Sequence, residues 1–179
     1  MLHQNSRRYI HSSLREHPVQ EVKIPHKHAH PGDGIEIPAY FHLPTNASKD
    51  SPVPLILIMT GLDGYRTELA TWIEGWRQVG CACLVVEIPG TGDSPAAVSD
   101  PESPDREWSS LLDWVDKQEG IDSKSVVVWA FSTGGFYAIR LAHTHPDRLK
   151  GVVALGGGCH HMFDPEWLDS VNHLEYPFE

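Results

Sequence analysis

The alternation of apolar and polar residues changes rhythm part-way along this chain. In Glu21-Val22-Lys23-Ile24 and again in Ile35-Glu36-Ile37-Pro38-Ala39-Tyr40-Phe41 the two classes largely alternate, the period-2 pattern of half-buried strands. The intervening His30-Pro31-Gly32-Asp33-Gly34 is rich in turn residues, so the pair predicts an antiparallel hairpin. Pro38 has no N–H to donate to a ladder, which places the second strand near an edge or at a bulge. Upstream, residues 9–17 suit a short helix.

Beyond the polar stretch 45–52 the pattern changes to continuous apolar runs. Leu55-Ile56-Leu57-Ile58-Met59, Cys83-Leu84-Val85-Val86, Ser125-Val126-Val127-Val128-Trp129 and Val152-Val153-Ala154-Leu155 read as buried strands covered on both faces. Helical spacing separates them: Leu69, Trp72, Ile73 and Trp76, with Gly80 placed to end the helix, then Trp108, Leu111, Leu112 and Val115, then residues 135–145. Strands alternating with helices of this length imply right-handed crossovers and a mostly parallel sheet with helices on both faces. The chain reads as an N-terminal β-hairpin followed by β-α-β-α-β-α-β, an α/β class.

Composition narrows the partners. The chain has 179 residues, 14 Lys+Arg against 24 Asp+Glu and a formal charge of −10, which opposes binding to nucleic acid or to an anionic membrane surface. No run approaches the eighteen or so apolar residues of a membrane span, and no apolar segment follows Arg7 and Arg8 as in a secretory signal. Cys81, Cys83 and Cys159 form no spaced framework, so they read as buried thiols in a reducing compartment. A cytoplasmic location follows, and the sequon Asn46-Ala47-Ser48 is then coincidental.

Chemistry concentrates where the third apolar strand ends. Ala130-Phe131-Ser132-Thr133-Gly134-Gly135 joins that strand directly to a helix, as in the nucleophile elbow G-x-S-x-G with Ala130 at the first glycine. Such a turn needs small residues two before and two after the serine. It lifts the hydroxyl clear of the sheet, and the following helix directs its N–H groups toward developing negative charge. A serine at this point can also be a helix N-cap, but a second element favours the nucleophile. Thr60-Gly61-Leu62-Asp63-Gly64 follows the first apolar strand, where enzymes with this elbow place the other oxyanion donor. The N–H groups of Leu62 and Thr133 are the expected pair, each worth about 3 kcal/mol of transition-state stabilisation. An ordinary glycine turn is the alternative for this loop.

Other motifs are weaker. Glu87-Ile88-Pro89-Gly90-Thr91-Gly92-Asp93-Ser94 is expected to be a rigid loop at the same sheet edge; as a phosphate cradle it lacks the full glycine fingerprint. The dinucleotide-binding alternative fails likewise after the first parallel strand. His26-x-His28-x-His30 could present three imidazoles to a metal, but Pro25 and Pro31 bracket it and a solvated strand face is the preferred reading. Asp63, His160 and His161 sit where they could line a pocket.

A serine nucleophile needs a base and a group that orients it, in the chain order Ser, Asp or Glu, His. Asp164, Asp169 and His173 have that order but share one short segment, so the trio reads as coincidence. The catalytic acid and histidine are expected outside this chain, which then reads as a fragment: residues 1–18 a short helical segment, 19–162 a partial α/β-hydrolase core, and 163–179 the start of a cap.

The motifs Thr60-Gly61-Leu62-Asp63-Gly64-Tyr65-Arg66-Thr67-Glu68, Glu87 to Ser94, Phe131-Ser132-Thr133-Gly134-Gly135 and Gly158-Cys159-His160-His161-Met162-Phe163 resemble those of the fungal polyketide-tailoring α/β-hydrolases, the heptaketide hydrolases of yellowish-green conidial pigment. They resemble the bacterial FrsA-like esterases more distantly. The resemblance implies an α/β-hydrolase fold and a serine hydrolase acting on a polyketide-like carbonyl, by carbon–carbon or ester cleavage, in pigment or other secondary metabolism. A reaction through Ser132 and its oxyanion donors takes a small-molecule substrate and needs no metal or organic cofactor, and a homodimer is compatible with this reading. A general carboxylesterase or lactonase, and a non-catalytic fragment that binds a ligand, are the alternatives.

Overall fold

The computed structural model describes residues 19–158 and 164–171; the expected helix at 9–17, Cys159, His160, His161 and His173 lie outside them. Six strands form one sheet: β1 (Gln20–Pro25), β2 (Glu36–His42), β3 (Val53–Met59), β4 (Ala82–Val86), β5 (Ile121–Phe131) and β6 (Gly151–Leu155). Their spatial order is β1-β2-β4-β3-β5-β6. The hairpin pairs antiparallel, β2 meets β4 antiparallel, and β4, β3, β5 and β6 run parallel. The helices are α1 (Ala70–Gln78), α2 (Ser103–Val115), α3 (Thr133–Thr144) and α4 (Pro165–Val171). No helix among the described residues is long and apolar enough to cross a membrane.

The continuous apolar runs are explained by a core on each side of the sheet. Leu55, Leu57 and Met59 of β3, Ala82, Leu84 and Val86 of β4, and Val126, Val128 and Ala130 of β5 pack with Trp108, Leu111, Leu112 and Val115 of α2 and with Ala138 and Leu141 of α3. The alternate residues Ile56, Ile58, Cys83, Val85 and Trp129 pack with Leu69 and with Ile73 of α1 on the other face. Period 2 therefore persists in β3 and β4, but both phases are apolar because both faces are covered. A fully buried Leu or Ile contributes roughly 1.5–3 kcal/mol. The central strands are therefore the stiff floor on which the site is mounted.

The expectation for Pro38 holds: it lies in β2, one strand in from the edge strand β1. The proline is tolerated because β4 pairs with β2 only from Ala39 onward, leaving Pro38 with a partner, Lys23, on one side alone. The expected fourth buried strand, β6, is partly exposed, with Val153 and Leu155 open to solvent, because only β5 flanks it among the described strands. Trp72 falls on the expected helical spacing yet is exposed; its ring packs against Trp129 at a tilt of 39°, centroids 4.5 Å apart. Cys83 is buried, and burial pushes its thiol up to about 12, whereas Cys81 is half-buried.

The histidine motif is solvated at His28 and His30, as expected, but it is not a strand and His26 is buried. β1 ends at Pro25, and His26 is buried with Nδ1 2.8 Å from Ser110 Oγ, while His28 reaches Asp113 of α2 at 2.9 Å. The motif stitches the hairpin turn to α2, and burial lowers the His26 pKa. Beside it the Asp33 carboxylate, shielded from solvent, accepts from Ser103 Oγ at 2.6 Å, Arg106 Nε at 2.9 Å and the His30 N–H at 2.9 Å. The Arg106 guanidinium, chief among these, holds the Asp33 carboxyl well below the usual carboxylate range.

Candidate active site

Three loops converge at the carboxyl ends of the parallel strands, each emerging from a strand fixed in both cores. From β5, Ser132 turns directly into α3 and takes φ 54° and ψ −133°. It is the sole non-glycine residue with positive φ among the described residues. A residue with a Cβ is disfavoured there by about 1–3 kcal/mol. The turn holds because Ser132 N–H donates to Leu155 O of β6 at 2.8 Å and Gly135 N–H donates to Ser132 O at 2.8 Å. Ser132 is solvent-exposed, and its hydroxyl has no hydrogen-bond partner among the described residues. It is thus a poor candidate for a side-chain helix cap, and indeed makes no capping bond.

From β3, the loop beginning at Thr60 lies against this elbow. A Cβ built on Gly61 would stand 2.8 Å from Ser132 Cβ and 3.1 Å from its Oγ, and one on Gly134 would overlap Thr60 O. Both glycines are therefore demanded by close approach, which explains the small residue two positions after Ser132. α3 starts at Thr133, two residues before the expected Gly135, so the Thr133 N–H is one of the helix's orphan donors. The Leu62 N–H makes no backbone hydrogen bond among the described residues, and the Leu62 side chain is exposed. Asp63 is also exposed.

From β4, Glu87 opens the third loop and is buried. Its Oε1 accepts the Arg66 N–H at 3.0 Å and Arg66 Nη1 at 3.3 Å. The Arg66 guanidinium also pairs with Asp93, Nη2 to Oδ2 at 2.9 Å, and lies over the Tyr40 ring at 5.1 Å. Burial pushes the Glu87 carboxyl up, opposed by its bonds to Arg66. Sequence reasoning identified these loops but missed this ion cluster, whose members stand 21 and 27 residues apart. The available signal was a carboxylate placed directly after the apolar run of β4.

The structure thus brings Ser132, Thr133 and Leu62 to one sheet edge, while His160 and His161 lie outside the described residues. Of the trio Asp164, Asp169 and His173, Asp164 Oδ1 accepts the Glu166 and Trp167 N–H groups at the start of α4, a capping role.

Comparison with known proteins agrees with this architecture. The chain superposes on the structure of AbyA5 with a TM-score of 0.69 at 23% identity, covering 89% of this chain and 44% of that one. It superposes on 2,6-dihydroxy-pseudo-oxynicotine hydrolase with a TM-score of 0.65 at 23% identity, covering 87% and 42%. These likenesses establish the α/β-hydrolase fold. In sequence, the chain is 26% identical over 165 residues to the esterase FrsA of Photobacterium profundum, covering 90% of this chain and 37% of the relative; it spans about a third of the length of such curated relatives. Residues 19–175 match the esterase FrsA-like family, the group that the motifs resemble more distantly. With that match spanning most of its length, the chain belongs to the esterase FrsA-like family.

Proposed function

We propose that this chain carries the nucleophile and oxyanion hole of a serine hydrolase, with Ser132 attacking the carbonyl of a small-molecule acyl substrate. The observation that carries the reading is the exposed Ser132 hydroxyl on a turn at φ 54°, with Gly61 pressed against it. A merely structural serine would have no reason to occupy so unfavourable a conformation; a nucleophile gains exposure and the helix N-terminus behind it.

In the proposed reaction a base takes the Ser132 proton as Oγ bonds to the carbonyl carbon. The negative oxygen is held by the N–H groups of Leu62 and Thr133, both fixed before reaction begins, so no reorganisation is needed as charge develops. Collapse expels the leaving group with the proton held by the base, and water then hydrolyses the acyl-enzyme. The base is a histidine outside the described residues, oriented by an acid also outside them; no metal or organic cofactor enters any step.

An ester is the substrate bond best supported, by the esterase name of the relatives. Cleavage of a carbon–carbon bond beside a ketone in a polyketide-like chain is a second reading, favoured by the motifs of the 60–68 and 87–94 loops. The same nucleophile and oxyanion donors serve both, since each passes through a tetrahedral oxyanion. Labelling with a fluorophosphonate probe and hydrolysis of p-nitrophenyl esters and β-diketones test the proposal. Ser132→Ala is expected to abolish labelling and turnover of whichever substrate is used; undiminished labelling in that variant would refute the nucleophile assignment.

A further inference from the structure

We infer that the Arg66–Glu87–Asp93 cluster is a latch that sets the 60–64 loop against Ser132, making Arg66 and Glu87 positioning residues for the oxyanion donor at Leu62. The inference rests on the proposed function, and three observations carry it.

The first is connectivity. Arg66 ends the loop that starts at Thr60, and Glu87 holds it twice, through the backbone N–H at 3.0 Å and through the guanidinium at 3.3 Å. Glu87 directly follows β4, and β4 is paired in register with β3 from Leu55↔Ala82 to Met59↔Val86. The loop is therefore anchored at both ends to the same two strands, at Thr60 by the chain and at Arg66 by the carboxylate. A loop closed at both ends in this way has little freedom to carry the Leu62 N–H away from the elbow.

The second is close packing around the latch. Gly92 comes so near that a Cβ there would stand 2.8 Å from Glu87 Cδ, and its φ of +53° suits glycine. Within the loop itself, a Cβ on Gly64 would collide with Thr60 Oγ1, and one on Gly61 would stand 2.8 Å from Ser132 Cβ. Successive contacts thus run from Gly92 through Glu87 and Arg66 into the loop and on to Ser132. A shift at Glu87 has no slack in which to dissipate.

The third is that the cluster is a poor device for stability alone. Arg66 Nε and Glu87 Oε2 are buried and have no hydrogen-bond partner among the described residues, and an ion pair taken out of water gains little over apolar packing. What such a pair does supply is direction, because a guanidinium fork bonded to two carboxylates admits few geometries. Asp93 completes it from the half-exposed side of the loop, with the Arg66 guanidinium over the Tyr40 ring.

The test compares Glu87→Gln, Asp93→Asn and Ser132→Ala in the full-length protein. The readouts are kcat and KM on p-nitrophenyl butyrate, and the inhibition constant of a trifluoromethyl ketone, which adds to the serine and places an oxyanion as substrate does. Glu87→Gln is expected to lower kcat about tenfold to a hundredfold, the scale of an ångström misplacement. KM should stay within about twofold, and ketone affinity should fall in step with kcat, because only transition-state binding is lost. Asp93→Asn, at a half-exposed side chain that folding tolerates, is expected to show the same pattern more weakly. Should Glu87→Gln not fold, Asp93→Asn decides. A Ser132→Ala protein that keeps its activity overturns both the nucleophile reading and the latch. An inactive Ser132→Ala beside Glu87→Gln and Asp93→Asn proteins with unchanged kcat and ketone affinity overturns the latch alone.

Discussion

Replacing Ser132 by glycine and, separately, by alanine measures the strain stored at the elbow. At φ 54° and ψ −133°, a residue with a Cβ sits about 1–3 kcal/mol above an ordinary conformation. Alanine keeps the Cβ and therefore the strain; glycine removes it. Glycine also gives the unfolded chain more freedom, which disfavours folding by roughly 0.5–1 kcal/mol. Because Ser132 is exposed, loss of its Cβ sacrifices little packing, so the net gain of Ser132→Gly over Ser132→Ala is about 1 kcal/mol. For a domain of this size that corresponds to about 2–4 °C in Tm. Paired thermal and urea unfolding of the two variants checks this. Both are expected to be inactive, with the glycine variant the more stable. A glycine variant that melts at or below the alanine one would falsify the claim that the elbow is strained, and with it the argument that function maintains that conformation.

Other expectations follow from the same contacts. Gly134→Ala places a Cβ onto Thr60 O, an overpacking expected to destabilise by about 1–3 kcal/mol or more and to lower kcat by parting the loop from the elbow; unchanged unfolding midpoint and rate would refute the close approach. Glu107, fully buried on α2, has its pKa pushed up to about 8 by burial. Its contribution is complete below the unfolded value of about 4.3 and is lost as pH rises toward 8, since the unfolded state then holds fewer protons. Glu107→Gln should therefore gain stability relative to the natural protein between about pH 5 and 8, read as diverging urea midpoints; parallel midpoints would contradict it. Asp33 has the opposite sign, its carboxyl pKa lowered chiefly by Arg106. Asp33→Asn should be the less stable protein at about pH 7, with the gap closing as pH falls below about 4; a gap independent of pH would show that the charge is not what matters.

Much of this protein was legible in the order of its residues. The hairpin, the four parallel strands and their crossover helices follow from a period-2 pattern that gives way to continuous apolar runs. The elbow at Ser132 and the loop at Gly61 follow from short motifs placed after particular strands. These features are local: each depends on a few consecutive side chains and on backbone rules that hold wherever such a segment occurs. Even the need for glycine at position 134 is visible in the motif, although the atom it avoids, Thr60 O, is not.

Tertiary structure decided the rest, because it depends on which distant segments meet. That β4 lies between β2 and β3 cannot be read from chain order, yet it brings Glu87 to Arg66 and so ties the loop down. His26 looked like part of a solvated strand because its neighbours are polar; it is buried because α2 brings Ser110 against it. β6 looked as buried as the other runs, since Val152 to Leu155 is as apolar as they are, but its exposure is set by the absence of a second flanking strand among the described residues. Sequence determines which segments can bury a face and which turn can lift a serine out of a sheet. Only the three-dimensional arrangement determines what each buried charge is paired with, because pairing energies depend on distances that the chain order does not contain.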